Sequence, residues 1–128
     1  MIRVEIAGDV DVIQARQAGR ALASDLGFCS SDLVVVPTAI SELARNILRY
    51  AGRGEITIEA VRGRRTGIKV VATDSGPGIA DIALALQDGY SSSGSLGLGL
   101  PGVRRLADEF AIRSERGEGT VVQMIKWL

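Results

Sequence analysis

The chain has 128 residues, of which 15 are basic and 15 acidic, so its formal net charge is zero. That length suits one domain burying roughly two-thirds of its unfolded surface, and the balanced charge argues against a nucleic-acid or membrane-surface binder that relies on a broad basic field. Histidine is absent and Cys29 is the single cysteine, which excludes imidazole-built zinc sites, Ser-His-Asp hydrolysis, phosphohistidine chemistry and an internal disulfide. Any general base must then be Asp, Glu or something weaker. Apolar runs are too short to cross a bilayer and MIRVEIAGDV lacks the layout of a signal peptide, so the expected location is cytoplasmic.

Ile2 to Ile6 alternates and predicts a short strand. Asp9 and Asp11 are candidate caps for a helix whose apolar positions are Ala15, Ala18, Leu22 and Leu26, stopped by Gly27. Leu33 to Val36 reads equally as a strand or as the first turns of a long buried helix. From Thr38 the pattern is helical, with Ile40, Leu43, Ala44, Ile47 and Ala51 on one stripe and Gly52 as the stop. Strands are predicted over 55–61 and 68–73, joined by a hairpin loop over 62–67. A short helix near 80–88, a glycine loop, a helix over 101–108, and strands over 110–116 and 120–127 around a Gly117-Glu118-Gly119 turn complete the chain. This order predicts a two-layer α/β sandwich, a mixed and largely antiparallel sheet with helices over one face, in a single domain spanning 1–128.

Four short stretches carry chemical potential. Glu42, Arg45, Asn46 and Arg49 form a second stripe on the helix from Thr38, with Glu42 and Asn46 one turn apart. A solvated face explains the charges, but Asn is a mediocre helix former, its amide oxygen is a hard-cation ligand, and a neighbouring carboxylate can accept a proton. Asp74 ends an apolar strand just before Gly76-Pro77-Gly78. It fits a turn bonding its own backbone, or a carboxylate at a cleft floor receiving an exocyclic amine, with Gly76 and Gly78 admitting a flat ring and Ile79 as an apolar wall. Gly94-x-x-Gly97-x-Gly99 matches neither the P-loop nor the dinucleotide fingerprint. It nevertheless runs into a helix, where free N–H groups and the dipole favour phosphate. Gly119-Thr120 opens a strand, and its hydroxyl is able to help hold a base edge.

Together these four, in this order on helix, strand end, loop-to-helix and strand, resemble the Bergerat ATP-binding fold of gyrase-type ATPases and sensor histidine kinases. The resemblance spans residues 42–120. It implies ATP and Mg²⁺ as cofactors, with Asn46 coordinating the ion, Asp74 binding the adenine amine, the 94–99 loop including Leu98 cradling phosphate, and Arg49 touching a phosphate. A phosphoacceptor histidine, its helical hairpin and a transducer domain are missing, so the chain is more similar to the stand-alone anti-sigma-factor serine kinases. The runs AISELARNI, DSGPGI, DGYSSSGSLGLGLPGVRRLADEF and IKWL resemble the switch kinases of the stressosome within that family. That resemblance implies phosphorylation of Ser or Thr on STAS-domain scaffold and antagonist proteins, then binding and activation of a PP2C-type phosphatase. With histidine absent, Glu42 beside Asn46 is the general base assigned to the acceptor hydroxyl. A sigma-factor-sequestering anti-sigma factor is the alternative. An ATPase clamp is disfavoured by the short lid, and a dinucleotide oxidoreductase more so.

Overall fold

The computed structural model describes residues 1–76, 99–115 and 117–128. Strand β1 (Ile2–Ile6) leads into helix α1 (Asp9–Asp25), where Asp11 reaches back to accept from the backbone N–H groups of Ala7 and Gly8 at 2.8 and 3.0 Å. The N-cap is Gly8, which has no side-chain oxygen, so the third helical residue supplies the capping carboxylate instead. Helix α2 (Asp32–Tyr50) settles the ambiguous Leu33–Val36 stretch: it is helix. β-branching suggested a strand, yet Val36 is fully buried on the same layer as Ala39, Ile40 and Leu43, and tertiary packing outweighs propensity. Pro37 lies inside α2 and lacks the N–H that a neighbouring turn would use; its carbonyl accepts from the Ser41 hydroxyl at 2.9 Å. The helices end before Gly27 and Gly52, as the pattern predicts.

β2 (Gly54–Arg62) and β3 (Thr66–Asp74) form the first hairpin, each longer than predicted because the turn between them takes only residues 63–65. The next described element is α3 (Gly99–Leu106), followed by β4 (Glu109–Glu115) and β5 (Gly119–Trp127). The expected helix near 80–88 lies outside the described residues. α3 begins two residues earlier than predicted and stops at Leu106.

The five strands run β1-β2-β3-β5-β4, and every pairing among the described residues is antiparallel. Alternation sends Ile56, Ile58, Ile68, Val70, Ala72, Val122 and Met124 to the inner face, where they meet Val36, Ile40, Leu43 and Ile47 of α2. Thr57, Glu59, Lys69 and Gln123 take the opposite parity, and Lys69 pairs with Glu59 at 3.7 Å there. The C-terminal strand is pinned by Asp108, which accepts from the Trp127 backbone N–H at 2.7 Å, and by Glu109, which accepts from the indole N–H at 2.8 Å. Two consequences matter for the site. α2 lies across the sheet with its C-terminal end over the exit of β3, and α3 packs beside α2.

Candidate active site

Glu42 is an ionisable side chain that is only 8 % exposed. A buried carboxylate is stable only with partners, and Glu42 has two. Arg45 Nη1 donates to Oε1 at 3.1 Å, one helical turn along α2. The backbone N–H of Gly99 donates to Oε2, also at 3.1 Å, across 57 positions of sequence. Gly99 is the first residue of α3, whose leading N–H groups have no acceptor within the helix, so Glu42 acts as the cap and sits at the positive end of the dipole. The Gly99 N–H, expected to face a phosphate, is bonded to Glu42 in this structure.

Asn46 follows one turn after Glu42, is half-buried, and its amide makes no hydrogen bond among the described residues. Arg49 is exposed in the last turn of α2. Glu42 is thus held at the junction of α2 with the start of α3, with Asn46 one turn further along α2.

At the far end of α2, Asp74 is the final residue of β3 and is half-buried. Its Oδ1 accepts from the Gly76 N–H at 2.9 Å, the local turn that the residue types predict. Gly76 presses against the C-terminal end of α2: a Cβ there would lie 2.6 Å from the Cβ of Ala51. Across the ladder Asp74 is opposite Thr120. Gly119, with φ +111°, runs so close to Asp74 that an added Cβ would collide with its carbonyl oxygen. Asp74 and Thr120 share a hollow of 220 Å³.

Thr120 is buried, and its hydroxyl lies 2.8 Å from that of Ser114 on β4. Ser114 donates its one proton to the Gly119 carbonyl at 3.1 Å, so Thr120 donates to Ser114 and keeps acceptor lone pairs of its own. Sequence reasoning missed Ser114, Ala51 and the Glu42–Gly99 bond. No local pattern marks them, because each matters only through a neighbour distant in sequence. Gly78, Ile79, Gly94, Gly97 and Leu98 lie outside the described residues.

The structure therefore brings Glu42 and Gly99 together, with Asn46 one turn further along α2, and places Asp74, Gly76 and Thr120 near the C-terminal end of that helix. Residues 7–126 match the model of the histidine kinase-like ATPase domain, and the chain belongs to that family. It is 55 % identical to the serine/threonine-protein kinase RsbT of Bacillus subtilis (strain 168), over 98 % of this chain and 95 % of that one. It is 31 % identical to the anti-sigma F factor of Pasteuria penetrans, over 89 % of this chain and 81 % of that protein. Two solved structures share its fold at 19 % identity. Full-length ShkA in complex with AMPPNP has a TM-score of 0.61 and is matched over 90 % of this chain, which spans only 28 % of ShkA. The mycobacterial sensor histidine kinase MprB has a TM-score of 0.60, with 98 % and 96 % covered. By kinship the chain is a protein serine/threonine kinase with an ATP-binding domain and a partner-switching role.

Proposed function

We propose that the chain transfers the γ-phosphoryl group of Mg-ATP to a serine or threonine of STAS-domain scaffold and antagonist proteins of a stressosome, and afterwards binds and activates a PP2C-type phosphatase. The observation that carries the transfer chemistry is Glu42: a buried carboxylate, one turn from Asn46, bonded to the first N–H of α3. In the transfer, the acceptor hydroxyl oxygen forms the new P–O bond, the bond to the β–γ bridging oxygen breaks, ADP leaves, and Glu42 takes the hydroxyl proton. A positioned base of this kind contributes roughly a hundred- to ten-thousandfold in rate.

Nucleotide binding is assigned to the other residues. Asp74 would accept from the adenine amine, since Gly76 engages only one of its two oxygens, and Thr120 lies opposite it on the ladder. Gly76 and Gly78 would admit the ring against backbone, with Ile79 beside it, while Gly94, Gly97, Leu98 and Gly99 form the phosphate loop and Arg49 reaches a phosphate. The residues fit a magnesium ion: the unengaged Asn46 amide offers one hard oxygen. Among the described residues no group of three or more Asp, Glu, Cys or His side chains is placed to cage a metal. Mg²⁺ suits such a site, because it keeps several waters and is bound through few protein oxygens plus phosphates. Mg²⁺, when bound, neutralises charge on the phosphate oxygens; Asn46 would hold it.

No helix among the described residues is long and apolar enough to cross a membrane, and we assign the kinase to the cytoplasm, where ATP and such partners meet. The test incubates the protein with γ-labelled ATP, STAS-domain proteins and a PP2C-type phosphatase. Label on the scaffold and antagonist proteins, followed by stimulated phosphatase activity, is the expected result. Label confined to a sigma-binding antagonist, with direct capture of a sigma factor, would replace this function with that of an anti-sigma factor, the role named for the 31 %-identical relative.

A further inference from the structure

The turn between β2 and β3 carries Arg62, Arg64 and Arg65, all exposed, and none of them has an ion pair among the described residues. The Gly63 N–H donates to the Arg65 carbonyl at 3.2 Å, so these guanidiniums project from a short, closed loop. In a chain of zero net charge they concentrate positive potential at one corner of the sheet. Arg65 is also held in place, its guanidinium stacked over the Trp127 ring at 5.3 Å from the centroid. The ring is fixed in turn by its N–H bond to Glu109, and it lies against Gly67, where a Cβ would come within 2.6 Å of Cε3. Gly67 is the ladder partner of Trp127, so the absence of a side chain there makes room for the indole. Trp127 shares the parity of Gln123 and therefore sits on the sheet face turned away from α2, with half-buried Val61 and Ile125 on that same face.

We propose that this corner docks a short acidic segment of a protein partner other than the phosphoacceptor, with carboxylates on Arg64 and Arg65 and an apolar side chain on Trp127. A half-buried tryptophan beside a preset arginine is the composition of a protein-binding hot spot, and unpaired guanidiniums select carboxylates. A nucleic-acid backbone suits the corner less well. The next row across the same face carries Glu59 and Glu109, which repel a polyanion that continues over the sheet, whereas a short acidic segment ends before it. The acceptor is excluded by position, since its hydroxyl must reach Glu42 on the α2 side of the sheet. The loop also lies a full β3 length from Asp74, nine residues or about 26 Å. A partner held at this corner leaves the α2 side open and stays bound while phosphate is transferred; this last point rests on the proposed kinase function.

The test has two arms. Trp127 is the only tryptophan of the chain, so its emission reads occupancy directly. In the first arm the protein is titrated with a tryptophan-free peptide rich in Asp and Glu around a central Leu, with the same peptide carrying Lys in place of the acids, and with a single-stranded oligonucleotide of equal charge. The acidic peptide alone is expected to move the emission to shorter wavelength as it covers the ring. Arg64→Glu, which leaves the Arg65 stack intact, is expected to weaken that binding about tenfold, and Arg64→Glu/Arg65→Glu to weaken it further. No shift, or an equal shift with the Lys peptide, overturns the docking surface. Tighter binding of the oligonucleotide overturns its assignment to a protein segment.

In the second arm, transfer to a STAS-domain acceptor is followed at saturating Mg-ATP with and without saturating acidic peptide. Acceptor KM and kcat are expected to be unchanged by the peptide and by Arg64→Glu/Arg65→Glu. A competitive rise in acceptor KM would make this corner part of the acceptor's own docking surface and overturn the assignment to a second partner. If wild-type protein labels no STAS domain while Trp127 still responds to the acidic peptide, the kinase function fails and the docking surface stands.

Discussion

Glu42 and Asp74 are both carboxylates of the proposed ATP site, and they are held in opposite ways. Asp74 is fixed by its own turn: its partner Gly76 is two residues on, at 2.9 Å. Glu42 is fixed by the tertiary structure, since its Gly99 partner is 57 residues away on another helix. The contrast separates tasks. A locally held carboxylate can bind a ligand's donor without reporting on the rest of the fold. A carboxylate bonded across two helices couples its own availability to where α3 sits. Replacing each in turn tests whether that division holds.

The largest effect is expected at Glu42. Glu42→Gln keeps the size and an oxygen for Gly99 but cannot take a proton, so transfer to a STAS-domain acceptor should fall roughly a hundred- to ten-thousandfold while Mg-ATP binding persists. Single-turnover transfer with γ-labelled ATP, beside calorimetric nucleotide binding, measures both. Transfer at the parental rate would remove Glu42 as the base. Asn46→Ala is the companion variant, and it should weaken nucleotide binding and transfer together.

Next comes the backbone on which Asp74 rests. At Gly119 the chain adopts φ +111° and a Cβ would meet the Asp74 carbonyl, so Gly119→Ala combines backbone strain with a clash against main chain that cannot rotate away. Summing one strained residue and one overpacked contact gives a loss of about 2–4 kcal/mol, read as a lowered midpoint of denaturant unfolding. A midpoint within error of the parent would show that the two strands separate more easily than their packing implies.

Asp74 itself should matter less to stability and more to affinity. Asp74→Asn keeps an oxygen for the Gly76 N–H but replaces an acceptor with a donor towards an adenine amine. Losing a charge-assisted hydrogen bond of about 1.5–3 kcal/mol weakens ATP binding roughly ten- to hundredfold, with transfer recovering at saturating nucleotide. Unchanged affinity would take Asp74 out of the adenine site.

The same contrast explains what could be read from residue order alone. The two-layer sandwich, the antiparallel hairpins and the helix stripe of Ile40, Leu43 and Ile47 were legible because period and turn chemistry are local properties. The helical state of Leu33–Val36 was not, since the valines favour a strand locally, Pro37 and the segment after it leave the choice open, and the burial of Val36 that goes with the helix is a tertiary property. The turn of Asp74 onto the Gly76 N–H was legible through its following glycine. Glu42 and Asn46 were visible as a stripe, but only the burial of Glu42 and its bond to the first residue of α3 separate that carboxylate from a solvated face. That Gly99 is bonded to Glu42 had no local signature at all.

Ser114 is the smallest test and the one that isolates Thr120. Its hydroxyl donates to the Gly119 carbonyl and receives the Thr120 hydroxyl, which fixes the direction of the Thr120 proton and leaves the Thr120 lone pairs for a ligand. Ser114→Ala removes these bonds and lets the Thr120 hydroxyl rotate. The stability cost should be about 0.5–1.5 kcal/mol for a hydrogen bond of this kind, smaller than for Gly119→Ala because no backbone has to move. The informative comparison is with Asp74→Asn. If Thr120 helps hold the base edge, Ser114→Ala should weaken ATP binding a few-fold and leave affinity for the triphosphate portion alone unchanged, as competition with inorganic triphosphate would measure. An equal loss for both ligands would mean that Ser114 supports the strand end as a whole and that Thr120 has no separate part in recognising the base.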